Sequence, residues 1–145
     1  MIYHFKVHKE DGEFWAECVE IENITTQADS MEELKDNMKE ALDLHLSEPE
    51  DSKVIFPFPK KHLTGKNTVP VAADPKISFA LRLRQARLAA NLTQRQAAKQ
   101  MGYENLSVYQ KLENPKKANP ELATLARVRR QFPDFDMNEI LDMVD

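Results

Sequence analysis

The sequence predicts an α+β chain: a small domain of strands with one helix, then an all-α domain of five helices. Three observations carry that reading. Tyr3, Phe5 and Val7 alternate with His4, Lys6 and His8, the period-two pattern of a half-buried strand. Beyond residue 74 the apolar residues recur at helical spacing, punctuated by residues suited to helix ends. The charge also divides: residues 1–70 hold 8 Lys and Arg against 15 Asp and Glu, net −7, whereas residues 76–130 hold 12 against 3, net +9. The domains are accordingly placed at 1–59 and 74–145, with 60–73 as the linker.

In the first domain, residues 9–13 read as a loop built on Gly12, and alternation resumes over 14–21 through Trp15, Glu17, Val19 and Ile21. The two runs should form a hairpin. A third strand is expected around 24–27, where Thr25 and Thr26 favour extended backbone. Ser30 with Glu33 three residues later is a capping box. Met31, Leu34, Met38, Leu42 and Leu46 then make one stripe of a helix that ends before Pro49. Residues 54–56 are expected as a last strand, because Pro57 and Pro59 exclude a regular ladder position beyond them. Lys60, Lys61, Gly65, Lys66, Asn67 and Pro70 follow with little periodicity, which is why 60–73 reads as linker. A domain of about 60 residues lies near the lower size at which a chain folds alone, so a partner or self-association would help it.

In the second domain, Asp74 and Pro75 offer an N-cap and a first-turn proline for a helix reaching Ala90. Ile77, Leu81 and Leu88 should turn inward and Arg82, Arg84 and Arg87 should face solvent or phosphate. Residues 92–114 read as two short helices around a tight turn. Thr93 and Gln96 form a capping box that starts the first at Gln94, and Gly102 ends it by taking left-handed backbone geometry. Asn105 caps the second, on which Val108, Tyr109 and Leu112 are the expected buried stripe. Ala98 is small where the two helices meet. Asn119 and Pro120 should open another helix to about Arg130, stopped by Pro133, and Asp136 with Glu139 should cap a last one carrying Met137, Ile140, Leu141 and Val144.

Composition narrows the function. A 41% hydrophobic content suits a globular chain, no apolar run approaches the roughly 18 residues of a membrane span, and the N-terminus lacks a signal-peptide profile. The expected setting is the cytoplasm, with no membrane contact. Cys18 is the single cysteine, so there is no intrachain disulfide and no cysteine-rich zinc module; it reads as a buried filler. His4, His8, His45 and His62 lack metal-ligand spacing, and no cofactor is expected. The basic half suits phosphates, and the acidic half suits a basic protein.

The run L-T-Q-x-x-A-A-x-x-M-G over 92–102, followed by L-E-N at 112–114, resembles the helix-turn-helix of the Cro/phage-repressor (XRE) family over about residues 76–144. Between Gly102 and Leu112 the chain is one residue longer than the usual pattern, which leaves the register of base-reading residues open by one position. The resemblance implies operator DNA as a partner and at least a homodimer, since two-fold binding needs two units. Gln94 is then the phosphate-positioning candidate, Asn105, Ser107, Gln110 and Lys111 the base-facing ones, and Lys116 and Lys117 further phosphate contacts. The competing reading of each lysine is a solvated charge. Arg127, Arg129 and Arg130 are less specific, being equally well the outer face of a helix.

The first half has its own pattern: Ile2-Tyr3-x-Phe5-x-Val7, then Asp11-Gly12-x-Phe14-Trp15-Ala16-x-Cys18-Val19-x-Ile21, then Ile24-Thr25-x-Gln27-Ala28-Asp29-Ser30 leading into the capped helix. It resembles the HicB antitoxin family over about 60 residues, although members usually carry proline and glycine where this chain has Val19 to Asn23. The resemblance implies a degenerate RNase H-like domain without catalysis that masks a HicA-like ribonuclease toxin. Members with a C-terminal DNA-binding domain also repress their own operon. The residues agree with a non-enzyme: a two-metal site needs several convergent carboxylates, and Glu17, Asp29 and Glu33 are the only nearby candidates.

Trp15, Glu17, Glu20, Asp29 and Glu32 are the candidate toxin-binding residues. Trp15 has a second reading, packing under the stripe of Leu34, Met38 and Leu42, and the acidic residues have another as an ordinary solvated surface. The rival function is a stand-alone helix-turn-helix regulator whose N-terminal domain senses a ligand or dimerises.

Overall fold

The computed structural model describes residues 1–49 and 51–144. They form two compact units: Met1–Leu46 with Phe56–Asp74 and the last residues from Leu141, and Ser47–Ile55 with Pro75–Ile140.

The first unit is α+β. Strands β1 (Ile2–Glu10), β2 (Glu13–Cys18), β3 (Thr25–Ala28) and β4 (Thr68–Ala72) make one antiparallel sheet in the order β3-β2-β1-β4. Asp11 (φ 50°) and Gly12 (φ 83°) close the β1–β2 hairpin. Two successive left-handed residues match the twist of the flanking strands, and aspartate followed by glycine tolerates them best. Tyr3, Phe5, Val7, Ala16 and Cys18 fill the buried face of the sheet, with the stripe Leu34, Met38, Leu42 and Leu46 of α1 (Met31–Leu46) buried in the same unit. Ser30 caps α1 by accepting from the Glu33 N–H at 3.2 Å.

Two expectations need correction. Residues 54–56 form no strand: the Phe56 ring is buried 5.6 Å from that of His45, and the next carbonyl, Pro57, accepts from the Tyr3 hydroxyl at 2.9 Å. The last strand lies instead at β4, inside the stretch read as linker. Pro70 hid it. The bonds Val7 N–H to Asn67 O (2.8 Å) and Ala73 N–H to Met1 O (2.9 Å) put the odd-numbered residues of β4 on the bonding edge, so the missing N–H of Pro70 falls on the outer edge, where a sheet tolerates it.

The second unit is all-α: α2 (Pro75–Ala89), α3 (Gln94–Gln100), α4 (Leu106–Leu112), α5 (Leu122–Gln131) and α6 (Met137–Leu141). Its core joins Phe79, Leu83, Ala97, Ala98, Tyr109, Val128, Phe135 and Ile140. Three details differ from expectation. Helix α5 is entered from Glu121, two residues after the expected Asn119 cap, with no side-chain cap. Asp136 caps α6 through the Asn138 and Glu139 N–H groups, but the Glu139 carboxylate turns to Arg82 Nη2 at 2.6 Å rather than completing a capping box. Val108 is 44% exposed, because the seven-residue α4 needs only Tyr109 and Leu112 to seat it.

Candidate functional site

Local chemistry builds the α3–α4 pair. Thr93 Oγ1 accepts from the Gln96 N–H at 3.1 Å, and Gln96 Oε1 accepts from the Thr93 N–H at 2.9 Å, a complete capping box. At the other end of α3, Gly102 N–H donates to Lys99 O and Tyr103 N–H to Ala98 O. This Schellman closure requires a left-handed residue, and Gly102 supplies it at φ 82°. The Arg127 guanidinium lies 5.1 Å from the Tyr103 ring centre over this turn. Asn105 then caps α4, its Oδ1 accepting from Ser107 N–H at 3.0 Å and Ser107 Oγ at 2.8 Å.

Burial shows which residues of α4 face inward and which face out. With Tyr109 and Leu112 inward, Ser107, Val108 and Lys111 are exposed and Gln110 is half-buried. Asn105, Lys116 and Lys117 are exposed as well, while Gln94 is half-buried. Gln94 and Gln110 are brought together, with Gln110 Nε2 donating to Gln94 Oε1 at 3.2 Å.

The α2 arginines, expected to face solvent or phosphate, are engaged within the protein. Arg82 pairs with Glu139. Arg84, 2% exposed, donates to Val54 O at 2.9 Å, and burial lowers its pKa. Arg87 makes a two-pronged pair with the 2%-exposed Glu113, at 2.7 and 2.9 Å, and its third nitrogen donates to Leu92 O. Burial alone would lower the Arg87 pKa, but the hydrogen bonds and charge of Glu113 outweigh it and hold the guanidinium above its ordinary value. Nothing in helical periodicity signals this pair, whose members stand 26 residues apart. The exposed positive charge of the unit therefore comes from Arg95, Lys99, Lys111, Lys116, Lys117, Arg127, Arg129 and Arg130, with Lys53 and Lys76.

In the first unit, Trp15 does not pack under α1. It lies on the opposite face of the sheet, stacked on His8 with ring centres 3.9 Å apart, and His8 Nε2 is 3.0 Å from Glu17 Oε1. Trp15, Thr25, Thr26 and Gln27 line a shallow recess beside it. Asp29 and Glu32 are exposed. Glu20 is not a surface acid: its side chain is 1% exposed and accepts from His4 Nδ1 (2.6 Å), His4 N–H (2.9 Å) and Lys60 N–H (3.2 Å). Among the described residues, no group of three or more His, Cys, Asp or Glu is placed to hold a metal ion, and no helix is long and apolar enough to cross a membrane.

Residues 83–135 match a family model described as helix-turn-helix, so the second unit carries a helix-turn-helix domain, the fold of sequence-specific DNA-binding regulators. The match stops short of the first unit. No curated protein matches the chain.

Proposed function

We propose that this chain is a dimeric, cytoplasmic, operator-binding antitoxin: the helix-turn-helix domain represses the chain's own operon, and the N-terminal domain, a non-catalytic RNase H-like module, occupies a HicA-like ribonuclease. The observation that carries the DNA-binding half is the outer face of α4. Ser107, Val108 and Lys111 are exposed there, beside the paired Gln94 and Gln110, with Lys116 and Lys117 exposed in the following loop. A helix of this kind enters the major groove while its partner crosses the backbone.

The toxin-binding half rests on the sequence resemblance. Two features support it: Trp15 faces outward, and Glu10, Asp11, Glu13, Glu22, Asp29 and Glu32 are exposed, a surface suited to a basic partner. Glu20 belongs to the fold in this reading and not to the interface.

The test is to purify the chain through a C-terminal tag from its own cells. A small basic companion that cleaves RNA once separated supports the antitoxin, and Gln110→Ala with Lys111→Ala should then weaken operator binding at least tenfold while leaving neutralisation unchanged. Operator binding by a chain that never carries a companion, in cells expressing the neighbouring genes, would replace it with the stand-alone regulator.

A further inference from the structure

The two edges of the sheet are finished differently. Residues of an antiparallel strand alternate between bonding inward to a neighbour and pointing their N–H and C=O outward. On β4 the outward groups are largely closed: Thr68 N–H donates to Gly65 O at 3.2 Å, Pro70 has no N–H, and Ala72 O accepts from Lys39 Nζ at 3.3 Å. On β3 the bond from Cys18 N–H to Ile24 O at 2.9 Å puts the even-numbered residues on the inner side, so Thr25 and Gln27 turn their main-chain groups away from the sheet. Asn37 Nδ2 covers Gln27 O at 3.0 Å. No strand lies beyond β3, so the N–H and C=O of Thr25 and the N–H of Gln27 have no ladder partner among the described residues.

We propose that the β3 edge takes up an extended, basic segment of a partner protein as a fifth strand. An open edge by itself invites any strand; the charge around this one selects its occupant. Residues 10–34, which carry β2, β3 and the start of α1, hold nine Asp and Glu and no Lys or Arg. Pairing β3 antiparallel with a second copy would set the Glu22 end of one strand beside the Asp29 end of the other, acid against acid. A basic strand meets the opposite sign at both ends. Glu17 and Trp15 are the register partners of Thr25 and Gln27, so alternate side chains of the added strand face Glu17 and the recess beside Trp15 while its main chain bonds the edge. The inference rests on the reading of the first unit as a protein-binding module.

Short random peptides displayed on phage would be selected on the full-length protein, and synthetic copies titrated against the fluorescence of Trp15, the only tryptophan in the chain. The selected peptides should carry Lys or Arg at alternate positions. Gln27→Pro removes an outward N–H, as Pro70 does on β4, and should weaken them about tenfold or more while the thermal melt stays cooperative. Main-chain N-methylation of the peptide should abolish binding in one alternating phase and be tolerated in the other, the mark of an added strand, and this decides the matter if Gln27→Pro does not fold. Peptides held equally by Gln27→Pro, indifference to the phase of methylation, or failure to enrich any basic peptide would overturn the proposal. So would a fall in the mass of the free chain on Gln27→Pro, which would show a second copy filling the edge. A ribonuclease companion retained undiminished by Gln27→Pro would overturn it too and leave the antitoxin reading standing. Peptides bound in phase by a chain that never carries a companion would uphold the edge and sink the antitoxin reading instead.

Discussion

Tyr109 shows how a single side chain can be essential by shape and dispensable by chemistry. It is 0% exposed in the helical core, and no described group lies in hydrogen-bonding geometry to its hydroxyl. Burial, with the charge of Glu113 next, pushes the phenol pKa far above its ordinary value, so it stays neutral. A buried hydroxyl left unpaired costs about 1–3 kcal/mol. Tyr109→Phe should therefore leave urea-melt stability unchanged or raise it by about 1 kcal/mol, whereas Tyr109→Ala should cost about 3–5 kcal/mol through the cavity it opens. A loss above about 1 kcal/mol in the phenylalanine variant would mean that the hydroxyl donates to Glu113 after all.

The ends of α3 decide whether the reading helix is presented. A seven-residue helix is too short to persist alone, so its caps and its packing make it. Thr93→Ala removes an oxygen that satisfies an otherwise orphaned N–H and should cost about 1 kcal/mol. Gly102→Ala meets no steric block, its nearest neighbour being Arg127 Nη1 at 3.8 Å, but forces a side chain into φ 82° and should cost about 1–2 kcal/mol. Thermal melts of both variants check this, and a neutral Gly102→Ala would show that the turn can relax. The caps at Thr93, Gly102 and Asn105 were legible because capping uses residues adjacent in sequence. Strand β4 was not, because what admits Pro70 is the side of the strand facing β1, a property of pairing.

At the scale of the whole molecule, the charge division survives folding but its carriers change. Arg82, Arg84 and Arg87 are engaged within the helical unit, so phosphate attraction must come from the exposed lysines and arginines. Operator affinity should fall steeply with salt. Lys116→Ala with Lys117→Ala should weaken binding about equally across sequences and reduce the log–log salt slope by about 2 per bound protomer. A slope unchanged by the double substitution would mark these lysines as solvated charges.

The sequence by itself determined the two-part α+β organisation, the hairpin turn, the caps of α3 and α4 and the acidic and basic halves, because each is written in neighbouring residues or in composition. Only the tertiary structure decided which charges face solvent. Glu20 and Glu113, two acids alike in sequence from those around them, became buried acceptors for His4 and Arg87. Val108 turned outward, and Trp15 took the open side of the sheet. Those outcomes depend on groups far apart in the chain meeting in a low-dielectric interior, where a charge persists only if a partner reaches it.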